Sequence, residues 1–308
     1  MENIIKIEKL TKQYPTLTAV NNISFEVKRG EIFGLLGENG AGKTTTLEII
    51  EGLRKATSGR ITVLGHDISH GITDEVKMRI GVQLQSSAYY KFLNLTEILE
   101  LFGDFYKKKI DALALLKSVH LEAKATALVG ALSGGQKQRF SIIASLVNDP
   151  EIVFLDEPTT GLDPLARRNL WDLISEIKSK GKTIILTTHY MEEAEILCDR
   201  IAIMEKGKIL ALDSTHKLIE TTKCPFKINF YSEHTDAAVI KKLNNLGQFS
   251  NLMGKNNHFE MRIKTQADLI SAIDVVNKLN PESITVGRAS LEDLFIELTG
   301  KRIGGEDA

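Results

Sequence analysis

Cysteine is nearly absent from this chain. Two thiols, Cys198 and Cys224, stand among 308 residues without metal-ligand spacing. That pattern excludes a disulfide scaffold and suits a reducing compartment. Long apolar runs are missing as well: nowhere do about eighteen apolar residues stand together, as a membrane span requires. The opening residues, "MENIIKIEKLTKQY", scatter charges among apolar positions and do not read as a signal peptide. Neither sign of charge is in excess, with Lys+Arg 39 against Asp+Glu 40. No basic footprint for DNA or RNA follows from that balance, and no nucleic-acid partner is expected. Low-complexity segments and solenoid repeats are lacking too. What is left is an ordinary soluble composition, 43% hydrophobic and 26% charged. Its length fits two domains, expected in the cytoplasm or on the cytoplasmic side of a membrane.

Short apolar runs alternate with helical patterns over residues 1–220. "IIKIEKL" and "AVNNISFEV" alternate apolar with polar, as half-buried strands do. "EIFGLLG", "EIVFLDE" and "KTIILTTH" are continuous apolar runs, the pattern of strands buried on both faces. "RIAIMEKGKILAL" predicts a hairpin turning at Lys206-Gly207. Between two buried runs, "ARRNLWDLISEIKSKG" sets Leu170, Leu173, Ile174 and Ile177 on one helical face and stops at Gly181. Strand–helix alternation of this kind predicts an α/β core with a parallel sheet. Residues 88–150 break the rhythm with helical patterns only, which reads as a helical insertion. Over 221–308 the order becomes strand, helix, strand, strand, helix, strand. That is the ferredoxin-like βαββαβ unit, a small α+β domain. It is followed by "SLEDLFIELTG", expected to turn Leu291, Leu294, Phe295 and Leu298 to one face.

The chemistry concentrates at the ends of the buried runs. "GENGAGKTT" fits G-x-x-x-x-G-K-[ST] across Gly37, Glu38, Asn39, Gly40, Ala41, Gly42, Lys43, Thr44 and Thr45. It follows a buried strand and opens a helix, the context of a phosphate-binding loop. Backbone N–H groups of such a loop curl around a phosphate, because glycines remove clashing side chains and permit positive φ. Lys43 is expected to bridge β- and γ-phosphates, and Thr44 to offer its hydroxyl to Mg²⁺. "IVFLDE" ends a strand with two carboxylates, and ligands gather at the carboxyl ends of parallel strands. Asp156 suits the Mg²⁺ shell; Glu157 suits the general base. His189 ends the next buried run and is expected to contact the γ-phosphate. Gln85, with Gln83 as a rival, is a candidate for Mg²⁺ or the lytic water.

A second anion site is written into "LSGGQ". Ser133, Gly134, Gly135 and Gln136 open a helix whose unpaired N–H groups favour an anion. A chain with a complete phosphate loop has no use for a second one in the same pocket. If both serve one nucleotide, the simplest geometry places them on different chains. A head-to-tail homodimer then holds two nucleotides at one two-fold interface.

These motifs resemble the nucleotide-binding subunit of an ATP-binding cassette (ABC) transporter over residues 1–220. "GENGAGKTT" is similar to the Walker A loop, Gln85 to the Q-loop glutamine and "LSGGQ" to the family signature. "IVFLDEP" is similar to Walker B, "TTGLD" to the D-loop and His189 to the switch histidine. The resemblance implies that Tyr14 stacks on adenine and that Gln136 and Asp163 serve contacts between subunits. It also implies ATP and Mg²⁺ as cofactors and a P-loop NTPase fold of the ABC ATPase type. "SLEDLFIELTG" and "NLTEILELFGDFYK" resemble the ABC-2-type, daunorubicin-resistance-like exporter group. That group implies a peripheral protein on the cytoplasmic membrane face, driving a separately encoded permease for a drug, antibiotic, lipid or polysaccharide. An importer ATPase is the nearest alternative. Translation-type relatives carry two cassettes per chain, and repair-type relatives need a long coiled coil that residues 88–131 cannot house. A kinase or GTPase would lack "LSGGQ".

Overall fold

The computed structural model describes residues 2–84, 89–233, 237–251 and 257–300. Gln85, one of the expected site residues, lies outside them. The chain divides into two compact units, Met1–Ser214 and Thr215–Ala308. The six-residue helix Thr215–Glu220 therefore falls in the second unit.

In the first unit, the described strands form two sheets. The larger has six strands in the order Lys208–Ser214, Arg200–Glu205, Ile32–Leu36, Thr183–Thr188, Ile152–Asp156 and Ile80–Gln83. All neighbours are parallel except the first pair, a hairpin through Lys206 and Gly207. Ile32–Leu36, Ile152–Asp156 and Thr183–Thr188 are buried along their whole length, as their continuous apolar runs predict. The smaller sheet is antiparallel, ordered Thr18–Lys28, Asn3–Gln13, Ser58–Val63 and His66–Asp67. Phe25 of that sheet stacks on Phe33 of the larger one, ring centroids 5.2 Å apart. Both rings are buried, and burying an aromatic of this size stabilises by roughly 1.5–3 kcal/mol.

Helices connect the parallel strands. Lys43–Ile50 follows the central strand directly. Pro164–Ser179 starts with an Asp163 N-cap and a proline in its first turn, both favourable there. It buries Leu170, Trp171, Leu173, Ile174 and Ile177. Within residues 89–150 the regular elements are the helices Leu95–Phe105, Ala112–Ser118 and Gly134–Ala144 and two short 3₁₀ turns. Capping boxes open the first and last of these helices, from Asn94 to Glu97 and from Ser133 to Gln136.

The second unit carries a four-stranded antiparallel sheet in the order Gln248–Asn251, His258–Ile263, Phe226–Tyr231 and Ser283–Arg288. Helices Ala237–Leu246 and Gln266–Asn277 pack on it through Leu243, Ala272 and Val276 against Ile228, Phe230 and Met261. Four partly or fully buried charges tie the last helix, Leu291–Thr299, to the sheet. Lys227 lies 2.9 Å from Glu260 and 3.5 Å from Asp293. Arg262 lies 2.8 Å and 2.9 Å from the same two acids. Asp293 also closes the capping box of Ser290, which is why "SLED" begins this helix. Leu291, Leu294 and Phe295 are buried, and Leu298, one turn further along the same face, is 39% exposed.

Candidate nucleotide site

The loop from Gly37 to Gly42 connects the central strand to helix Lys43–Ile50. Two of its glycines have no substitute. A Cβ at Gly37 would stand 2.3 Å from the Met204 carbonyl oxygen. Gly42 combines φ 100° with a Cβ position 2.4 Å from the Ala19 carbonyl oxygen. The loop is braced from outside by Gly207, whose N–H donates to the Ala41 carbonyl at 3.0 Å. Glu38 accepts from the Ala41 N–H within the loop, and Asn39 and Gly40 are exposed at its tip. Thr45 is half-buried in the first helical turn.

Lys43 is buried, and its ammonium donates to the carbonyls of Gly37 at 2.9 Å and Glu38 at 3.0 Å. The same ammonium lies 3.4 Å from Glu157 Oε1. Burial pushes the Lys43 ammonium below the usual lysine range, against the pull of Glu157 and Asp156. Thr44 Oγ1 donates to Asp156 Oδ1 at 3.1 Å, and Thr187 donates to the same oxygen. Burial nevertheless raises the Asp156 carboxyl above the ordinary aspartate range.

Glu157 is the most constrained residue of the site. Its backbone is left-handed, φ 47°, a conformation a non-glycine residue holds only when its surroundings fix it. Thr187 does the fixing: the Glu157 N–H donates to its hydroxyl at 2.9 Å and faces its carbonyl at 3.2 Å. Glu157 Oε2 accepts from Thr160 Oγ1 at 3.1 Å and lies 3.3 Å from His189 Nδ1. Burial opposes charge on this carboxyl, but Lys43, His189 and Thr160 together set it below the ordinary glutamate range. It is therefore ionised at neutral pH.

Lys43, Thr44, Asp156, Glu157 and His189 thus form one chain of contacts. Ser133, Gly134, Gly135 and Gln136 do not join it. They line a separate cavity of about 240 Å³ with Gly161, Leu162 and Asp163. Gln136 Oε1 accepts from the Ser133 N–H at 3.0 Å, so its side chain serves the helix cap within its own chain. Asp163 Oδ1 accepts from Leu165 and Ala166 in the same way. Tyr14 is half-buried beyond the strand Asn3–Gln13; its hydroxyl accepts from Arg54 at 2.7 Å and Lys12 lies 5.1 Å over its ring. Gln83, the rival to Gln85, is buried, and its amide donates to the Leu84 carbonyl at 2.8 Å. Sequence reasoning missed Thr160 and Thr187, which hold the two carboxylates. The available signal was the polar pair Thr187-Thr188 inside an otherwise apolar run.

Helix Lys43–Ile50 ends on another missed residue, Glu51. It lines a largely apolar groove of about 520 Å³ with Leu53, Ile80, Phe102, Phe105 and Tyr106. Glu51 is 4% exposed, and among the described residues its Oε1 has no hydrogen-bond partner. Burial pushes its carboxyl up to about 8, with Asp156 and Glu48 adding to the effect. A glutamate with a raised native pKa stabilises the fold only while protonated. Its contribution is lost as pH climbs from the ordinary glutamate range toward about 8, at about 1 kcal/mol per pH unit. Glu51→Gln should therefore melt higher than wild type at pH 8, with the two melting curves converging near pH 5. A melting difference that ignores pH contradicts the burial argument.

Comparisons with known proteins place the chain in a family. Residues 20–160 match the family described as "ABC transporter". The chain is 34% identical over 305 residues to the Nod factor export ATP-binding protein I of Cupriavidus pinatubonensis, spanning 97% of this chain and 92% of that protein. It is 34% identical over 312 residues to a linearmycin resistance ATP-binding protein of Bacillus subtilis, spanning 97% and 99%. Among solved structures, a dimeric ATP-binding cassette bound to ADP and Pi in a post-hydrolysis state superposes with TM-score 0.63 at 28% identity. That match covers 68% of this chain and 98% of the other. Among the described residues no helix is long and apolar enough to cross a membrane. A chain related over nearly its whole length to such ATP-binding proteins, with a glycine-rich loop facing an acid pair, is a member of the ABC transporter ATP-binding family and an ATPase.

Proposed function

We propose that this ATPase works as a homodimer around two ATP and drives export through a separate membrane permease, bound to it at the cytoplasmic membrane face. One observation carries the export reading. The similarity to Nod factor export and linearmycin resistance subunits runs through both units, not the cassette alone. An importer subunit, or a soluble ABC ATPase of the translation or repair type, would share the first unit without that continuation. The strand order of the second unit supports a ferredoxin-like accessory domain over 221–308. The run of helices supports a helical insertion at 88–150, and the segments "NLTEILELFGDFYK" and "SLEDLFIELTG" support the ABC-2, daunorubicin-resistance-like assignment. The apolar groove beside Glu51 supports a permease contact, since Phe105 is 63% exposed there. The cargo class is a drug, antibiotic, lipid or polysaccharide.

Within the site, Lys43 spans β- and γ-phosphates once nucleotide draws it from the loop carbonyls. The donor set fits Mg²⁺: the Thr44 hydroxyl and the Asp156 carboxylate are hard oxygens already in contact, with Gln85 a third. Among the described residues no group of three His, Cys, Asp or Glu is arranged for a metal. That suits an ion held mostly by phosphate and water. A bound Mg²⁺ would offset negative charge on the phosphate oxygens. Glu157 takes a proton from water as its oxygen attacks the γ-phosphorus, and the bridging oxygen leaves with ADP. His189 steadies the γ-phosphate, Tyr14 stacks on adenine, and Ser133, Gly134, Gly135 and Gln136 cap the nucleotide from the other chain.

Membrane vesicles carrying this chain and its permease test the direction. Inside-out vesicles should accumulate cargo when ATP and Mg²⁺ are added outside, and lose that uptake with Glu157→Gln. Uptake confined to right-side-out vesicles loaded with ATP makes the protein an importer subunit.

A further inference from the structure

We propose that Glu193 is a positioning residue that holds the base Glu157 by tying together the two chain segments that grip its Oε2 oxygen. This rests on the reading of Glu157 as the base.

Glu193 sits in helix Met191–Leu197, just after the strand that ends at Thr188, and is 0% exposed. Trp171 Nε1, from helix Pro164–Ser179, donates to its Oε1 at 3.1 Å. The Thr188 and Thr159 hydroxyls lie near the same carboxylate, but Thr188 Oγ1 accepts from the Tyr190 N–H at 2.9 Å, and among the described residues Glu193 Oε2 and Thr159 Oγ1 have no hydrogen-bond partner. Arg167 supplies the neighbouring positive charge and stacks over Tyr190 at 4.4 Å. An acid at this depth is an expensive way to fill space, since an apolar side chain avoids its desolvation. Burial indeed raises its carboxyl above the ordinary glutamate range. The hydrogen bond it accepts from Trp171 is what an apolar side chain could not supply.

Thr159 and Thr188 each stand one residue from a partner of the base. Thr159 precedes Thr160, which donates to Glu157 Oε2 at 3.1 Å. Thr188 precedes His189, whose Nδ1 lies 3.3 Å from the same oxygen. Oε1 is left to Lys43. Through Trp171, the carboxylate of Glu193 also anchors the helix that follows the loop of Thr159 and Thr160. One buried carboxylate thus joins the helices that follow the two partners of that oxygen, Thr160 and His189.

The test is steady-state ATP hydrolysis by the full chain, alone and in a double-mutant cycle. Glu193→Ala should lower kcat about 10- to 100-fold, the range expected for a displaced catalytic group, with KM for ATP within about twofold. Glu193→Gln retains an oxygen for Trp171 and should stay within about threefold of wild type, as a proton-transferring role would not allow. Added to Glu157→Gln, Glu193→Ala should change the residual rate little, because no base is left to position. Should Glu193→Ala prove unstable, Trp171→Phe removes the one hydrogen bond to the carboxylate and should likewise lower kcat and not KM. The proposal is overturned if the Glu193 and Glu157 effects multiply independently, or if both tether variants turn over like wild type. Wild-type hydrolysis by Glu157→Gln alone would instead remove the base assignment, and the proposal with it.

Discussion

Glu157→Gln should reduce ATP turnover by roughly 10²–10⁴-fold, the usual contribution of a general base, while nucleotide still binds. The substitution keeps the shape of the side chain and its acceptor for Thr160, which donates at 3.1 Å. What disappears is the negative charge, and with it the basicity needed to take a proton from water. Lys43 loses its 3.4 Å counter-charge, but bound phosphates replace that charge. With cleavage blocked, ATP persists at an interface that only the associated state completes, so association is favoured by mass action. Size-exclusion chromatography of the variant with ATP and Mg²⁺ should therefore show a stable dimer where wild type returns to monomer. Hydrolysis at the wild-type rate refutes the assignment of Glu157.

Ser133→Arg should abolish ATP-induced dimerisation and leave ATP binding by the dilute monomer nearly intact. Ser133 lies in a cavity of its own, apart from the contacts that join Lys43, Asp156 and Glu157. Arginine there replaces a small N-cap hydroxyl with a bulky cation and removes the cap. Lys43→Ala carries the complementary defect: losing a charge-assisted phosphate contact weakens ATP binding by about one to two decades. Neither variant alone can build a complete site. Mixed together, they form a dimer whose one site pairs an intact phosphate loop with an intact "LSGGQ", while the other holds both defects. ATP-dependent dimer should reappear only in the mixture. Loss of ATP binding by the dilute Ser133→Arg monomer would mean that the signature acts within its own chain.

The buried strands were legible because nothing but a doubly covered strand reads as "EIFGLLG" or "EIVFLDE". The phosphate loop was legible for a related reason: its glycines, lysine and threonine act through backbone geometry that is local in sequence. Thr160, Thr187, Glu51 and Glu193 were not. Thr160 bonds Glu157 only three residues away, but the others depend on neighbours distant in sequence, as Thr187 meets Asp156 only because their strands pair. Burial hides in sequence as well. "LEII" ahead of Glu51 gives no hint that this acid, unlike Glu48, ends beneath an apolar groove. Leu298 shows a related limit, since helical spacing names a face without saying where its cover stops.

The left-handed backbone at Glu157 bears on how this protein can be engineered. Glycine enters that conformation freely, whereas another residue there carries a penalty of about 1–3 kcal/mol. A library selected for heat resistance alone would consequently enrich glycine at 157, and the most robust survivors would be inert. Stabilising campaigns must keep that codon fixed and take their gains elsewhere, with buried Glu51 as the natural first position to vary.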